Sequence, residues 1–185
     1  MIGKEIDLDK LYMPSSIDGS FFNRMLDCGS FYNWWVEHAL GYLPVELLDE
    51  HKENLAFIST AQMDACRVAR YYCENREVIF LSDRILPKKG ASEFQPQVRY
   101  FIFIVLHETA HAIEKHKSPK FDKLTQEQNR AQEEEADELA FGWFNAHIQV
   151  LGNQYLPPLT RGEIEQQRQR NRQLMMRLYA GAPVS

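Results

Sequence analysis

Three residues offer the clearest chemistry in this chain: His107, Glu108 and His111, within Val98 to Lys117, VRYFIFIVLHETAHAIEKHK. Histidines four apart on an α-helix project from one face, about 6 Å apart along the axis. Two imidazoles so placed can reach a single ion at about 2.0–2.1 Å, the zinc-to-nitrogen distance. Glu108 lies about 100° around the helix from His107, near enough to touch a water on that ion without displacing a ligand. The plainer alternative is a solvated helix end that happens to carry two histidines and a glutamate. It is disfavoured because the pair directly follows the apolar run Phe101 to Leu106, where a fully exposed histidine is out of place. Ala110 and Ala112 also leave room for close packing.

A catalytic zinc site commonly has three protein ligands and a water, so a third ligand is expected. His116 is nine residues beyond His107. On a continued helix it falls about half a turn out of phase and faces away. The pattern H-E-x-x-H-x-x-G-x-x-H is absent, because positions 114 and 117 are Glu and Lys, and this sets metzincins aside. A carboxylate remains, and the downstream acidic cluster Glu133-Glu134-Glu135-Ala136-Asp137 is the source. His147 stands about 21 Å beyond Glu133 on a straight helix, too far for the same ion. His38 and His51 have no partner at ligand spacing and are expected on the surface.

The elements that must position these groups can be read in outline. The apolar stretch Tyr100 to Leu106 runs into HETAHAIEKH with no breaker, which predicts one buried helix from about Gln97 to His116. Ser118-Pro119 ends it, and a second long helix is expected from about Gln126 to Leu151, stopped by Gly152-Asn153. A last helix is expected over 162–179. Upstream, an irregular arm covers 1–20, and Ser30 suits the cap of a helix running to about Leu40. Aromatics crowd 21–43 and are read as core rather than as a binding face. Pro44 fits the first position of a short helix, PVELLDEH. Three runs then read as strands: Leu55 to Ile58, Val68 to Cys73 and Glu77 to Ser82. Their short connections suggest a small, mostly antiparallel sheet. With no repeat or long linker, residues 1–185 form a single α+β domain.

Composition sets bounds on function. A net charge of -5 gives no general argument for nucleic acid or an anionic membrane surface. The Arg-rich last helix (Arg161, Arg168, Arg170, Arg172, Arg177) is read as a solvated charged face, with Ile164, Leu174, Met175 and Leu178 packing inward. Three cysteines, Cys28, Cys66 and Cys73, form no C-x-x-C pair and suggest reduced thiols in a cytoplasmic protein. The longest apolar run is far shorter than the roughly 20 residues a membrane span needs.

HETAH followed by E-x-x-A-D resembles the gluzincin zinc metallopeptidases, most closely the small soluble ImmA/IrrE-type and minigluzincin group. The order of sheet, HExxH helix and glutamate helix is also similar to SprT-like zincins, which take a third histidine instead. The resemblance covers roughly residues 44–151, with only the two short motifs diagnostic. It implies a zincin-like fold, Zn²⁺ as cofactor, and Glu133 as third ligand beside His107 and His111, with Glu134 the competing register. It further implies that Asp137 hydrogen-bonds a ligating histidine, that Glu108 is the general base, and that the strand Val78 to Ser82 is the sheet edge receiving an extended substrate. Tyr155 and Arg161 are candidates to steady the oxyanion. The partner is then a peptide or protein substrate. ImmA/IrrE-type proteins act on repressors, so a metal-bound regulator that binds a repressor rather than cutting generally is the alternative. A di-iron helical carboxylate protein would need two Glu-x-x-His pairs, and only Glu108-Thr-Ala-His111 is present.

Overall fold

Helix α3 (Pro96–Ile113) is the axis of the molecule, and every residue from Val98 to Ala112 is buried. This follows from its composition: an aromatic and aliphatic first half can pack on all sides, and Pro96 at the first turn starts the helix without losing a needed hydrogen bond. The buried hydroxyl of Thr109, inside the HETAH motif, is satisfied locally by donating to the Val105 carbonyl at 2.7 Å. The computed structural model describes residues 30–60, 65–68, 77–82, 84–119, 122–151 and 156–179. The arm at 1–20, Phe21, Phe22, Cys28, Cys73, the turn Glu74 to Arg76 and Tyr155 therefore lie outside the described residues.

Before α3 come α1 (Ser30–Leu40), α2 (Val45–His51), a short 3-10 turn (Lys52–Asn54), and strands β1 (Leu55–Thr60), β2 (Ala65–Val68) and β3 (Glu77–Ser82). After it come α4 (Gln126–Leu151) and α5 (Arg161–Tyr179). The α+β class expected from the sequence stands, and most boundaries agree within a residue or two. Ser30 opens α1, and Pro44 is the residue before α2 rather than its first member. The second strand covers Ala65–Val68, which includes the first residue of the expected run; 69–73 lie outside the described residues.

The sheet itself differs from expectation. Its order is β1-β3-β2, with β1 parallel to β3 over six residue pairs, from Leu55↔Glu77 to Thr60↔Ser82. β2 runs antiparallel to β3, from Ala65↔Leu81 to Val68↔Val78. Strand directions do alternate along the chain, as short connections require. Because β3 inserts between the first two strands, however, the two that run the same way become neighbours, and the sheet is mixed. This also overturns the edge assignment of Val78 to Ser82: β3 is the central strand, paired on both sides from Val78 to Leu81, and cannot accept a further strand there.

α3 packs against α1 on one side, against α4 on another, and against β2, β3 and α5. The core between them includes Val36, Leu40, Phe57, Ile79, Leu81, Phe101, Phe103, Leu106, Ala140, Phe144, Ile148 and Ile164. Burying one side chain of this size contributes about 1.5–3 kcal/mol relative to leaving it exposed. Trp35 and Tyr42 join this core as expected, whereas Trp34 stays half exposed and stacks on His38. Helix α5 is fastened to α3 by a buried charge: Arg99 donates to both oxygens of Glu163, from Nε at 2.6 Å and Nη2 at 3.2 Å. An arginine removed from water needs such a bidentate partner to offset its desolvation.

Candidate metal centre

One turn of α3 places His107 and His111 on the face that meets α4, and one turn of α4 places Glu133 and Asp137 opposite them. The two imidazoles converge through their Nε2 atoms, 3.1 Å apart. Glu133 brings Oε2 to 3.5 Å from His107 Nε2 and Oε1 to 3.7 Å from His111 Nε2. Ligands arranged tetrahedrally at about 2.0–2.1 Å from zinc stand about 3.3–3.4 Å from one another. The two ring nitrogens and the Glu133 carboxylate, which turns a different oxygen to each ring, stand at separations near that value, and His107, His111 and Glu133 could hold a metal ion together among the described residues. Ring nitrogens facing each other so closely need either a hydrogen on one of them, donated to the other's lone pair, or a metal between two lone pairs.

The electrostatics agree with the geometry. Burial works against a charged His107, but Asp137, Glu133 and Glu108 outweigh it and raise the ring to about 9. For Glu133 the hydrogen bond from His107 is the main cause, and it holds the carboxyl below its ordinary value despite burial. Asp137 is opposed by burial as well, yet His107 and Arg168 keep it far below the usual carboxylate range. Glu108 is buried on the next face of the same turn, close enough for its charge to act on His107.

Each ring is gripped from behind through Nδ1. Asp137 Oδ1 lies 2.8 Å from His107 Nδ1, a close contact bent away from the ring N–H axis. Arg168 on α5 donates to both Asp137 oxygens, at 2.9 and 2.7 Å, and its guanidinium carbon lies 5.6 Å from the centre of the Phe103 ring. Behind His111 stands His116, with the two Nδ1 atoms 2.8 Å apart, and His116 Nε2 is 3.1 Å from Glu135 Oε2.

His116 is the clearest departure from the sequence reading. It was expected to face away on a helix continuing to residue 116, but α3 ends at Ile113. Lys115 takes a left-handed conformation, φ 56°, while Lys115 N–H donates to the Ala112 carbonyl and His116 N–H to that of His111. This is the Schellman helix stop, and it folds His116 back under the site. The returning chain is pinned to α4 by Gln132, whose amide donates to the Lys117 carbonyl and accepts from its N–H. With Lys rather than Gly at the left-handed position, nothing in the sequence signals a stop there.

Among the other candidates, Glu134 turns away to pair with exposed Arg130, so the structure brings Glu133, not Glu134, to the histidines. Glu138 is exposed and engaged by Arg161. Arg161 also lies over the Phe141 ring, so it contacts α4 through both Phe141 and Glu138. The expectation of a merely solvated face on α5 is corrected by Arg168, which supports Asp137. His38 is not a free surface residue, since it pairs with Glu93, and His51 is also partly shielded. His147 stacks on Tyr42, with ring centres 4.1 Å apart. Sequence reasoning missed His116, Glu135 and Arg168; a histidine five beyond the second motif histidine was the one visible hint.

Comparison with family models, curated proteins and solved structures finds no match for this chain. The site therefore rests on its own geometry.

Proposed function

We propose that the chain is a zinc-dependent metallopeptidase of gluzincin type on a zincin-like fold. The observation that carries this reading is the convergence of His107 Nε2, His111 Nε2 and the Glu133 carboxylate at 3.1–3.7 Å, with Glu108 buried on the adjoining face. Two nitrogens and one oxygen are a ligand set used by hydrolytic zinc, and they leave one position for water. Bound there, zinc supplies an acidified water and polarises the scissile carbonyl.

The chain's own residues supply the remaining steps. Glu108 takes a proton from the attacking water and returns it to the leaving amine. Asp137 and Arg168 hold the His107 ring in place, which favours a fixed geometry through the reaction. An extended substrate adds to a free strand edge by main-chain hydrogen bonds. Since β3 is central, β2 is the better candidate: α3 packs against it, and its outer side has no strand partner among the described residues. No helix among the described residues is long and apolar enough to cross a membrane.

The test is Glu108→Gln. It is expected to retain one zinc per chain and lose peptidase activity on an unfolded protein substrate by about 10²–10⁴-fold, the usual contribution of a general base. Wild-type rates in that variant, still abolished by chelator, would remove Glu108 from the role. Candidate repressors in the same assay, with and without chelator, separate cleavage from association.

A further inference from the structure

We propose that His116 is a positioning residue for the metal centre, fixing the tautomer of His111 so that its Nε2 lone pair is presented to the ion. The proposal rests on the metal-site reading above and extends it to a residue outside the ligand triad and the general base.

The inference follows from counting donors and acceptors along one chain of contacts. Ionised Glu135 has no proton to give, so at 3.1 Å from its Oε2 the His116 Nε2 must be the donor. A neutral imidazole carries one N–H, which leaves His116 Nδ1 with a lone pair. That lone pair lies 2.8 Å from His111 Nδ1, so His111 must donate from Nδ1. With its one proton committed there, His111 Nε2 is bare, and this is the atom that faces His107 Nε2 and Glu133. Both His116 nitrogens are thus occupied, so His116 supports the site without ligating the ion itself.

The arrangement is also protected. His116 is buried, and the Schellman turn at Lys115 fixes where its backbone emerges. Gln132 ties the next residue to α4, the helix that carries Glu133 and Glu135. The relay runs from one carboxylate of the 133–137 cluster through His116 to the ring that faces another. His107 is handled separately by Asp137. Each ligand histidine therefore has its own polar neighbour at Nδ1, and only at His111 is that neighbour a second imidazole.

The experiment uses the full chain with zinc as the probe. Two-bond ¹H–¹⁵N correlation on metal-free protein reads the His111 tautomer directly, and chelator competition reads zinc affinity. Wild type is expected to show His111 protonated at Nδ1, and His116→Ala to lose that preference and bind zinc about 10–100-fold more weakly, the scale typical of supporting contacts to metal ligands. His116→Asn, whose side-chain oxygen replaces the Nδ1 acceptor, is expected to recover most of the affinity. A purely space-filling role predicts no tautomer change and no rescue by Asn. The proposal is overturned by an Nε2-protonated His111 in wild type, by an unchanged tautomer in His116→Ala, or by zinc loss as complete as in His111→Ala, which would make His116 a ligand. If wild type binds no zinc, the metal-site reading fails by itself, while the tautomer measurement still decides the role of His116.

Discussion

His107 and His147 are both shielded imidazoles, one packed against α4 and the other part of it, yet their surroundings move them in opposite directions. Burial disfavours charge on both. Around His107 three carboxylates reverse that effect, and the ring rises to about 9. Around His147 burial dominates, the His38 charge adds to it, Glu93 only partly opposes, and the ring falls to about 4. Glu93 is already engaged by His38 and Tyr42. His147 meets its neighbour face to face, with the Tyr42 ring tilted by 28°, whereas His107 presents its nitrogens edge-on to acids. The number and direction of carboxylates, rather than burial, separate a cation-binding histidine from one that serves as a flat packing surface.

The largest expected effect follows directly. His107→Ala should reduce bound zinc from one per chain to near zero by elemental analysis and abolish chelator-sensitive peptidase activity. His147→Phe, which keeps a ring against Tyr42, should leave zinc stoichiometry unchanged. Equal metal content in both variants would erase the distinction between the two histidines.

A smaller effect tests what lies behind His107. Asp137→Ala should weaken zinc binding by about 10–100-fold, since it removes the carboxylate held against Nδ1 of the ring. Arg168→Met leaves that carboxylate in place and should cost less, within about tenfold. Competition titrations against a chelator of known affinity can rank the two. A loss at Arg168 as large as at Asp137 would mean that the guanidinium sets the carboxylate's position and is the true anchor.

Where the sequence was legible, the reasons were local. The apolar half of α3, the i,i+4 histidines and the unbroken helical pattern of 126–151 each follow from periodicity within one element. The choice of Glu133 needed the E-x-x-A-D resemblance, because periodicity by itself leaves adjacent glutamates open. Strand order was hidden because alternating directions are compatible with β1-β2-β3 and with the observed β1-β3-β2. The end of α3 was hidden because a lysine occupies the left-handed position that glycine usually marks. Arg168 looked like any other arginine of its helix, since its bidentate partner lies 31 residues away in sequence.

The pH dependence of the metal-free protein should carry the contrast in its two limbs. His147, depressed from 6.5 to about 4, gives stability that is present above 6.5 and lost as pH falls toward 4. His107, raised to about 9, gives stability that is present below 6.5 and lost as pH rises through 9. Denaturant melts across pH should therefore show His147→Phe flattening the acid limb only, by on the order of 1–2 kcal/mol after allowing for the ring's partial exposure. Zinc should abolish the alkaline limb, because ligation requires a neutral ring and releases its proton. An acid limb unchanged in His147→Phe would show that His147 is not the group being protonated.

The smallest effect concerns the turn that brings His116 under the site. A non-glycine residue in the left-handed conformation costs about 1–2 kcal/mol. Lys115 is exposed, and the backbone bond from its N–H to the Ala112 carbonyl does not depend on its side chain. Lys115→Gly removes that cost but gives the unfolded chain more freedom, so a net gain of about 0.5–1 kcal/mol is expected, without change in zinc affinity. Chemical denaturation of the metal-free protein measures the first quantity and chelator competition the second. A destabilised Lys115→Gly would mean that the chain does not reverse at this residue, and the placement of His116 behind His111 would then lose its structural basis, while the contrast between His107 and His147 would stand.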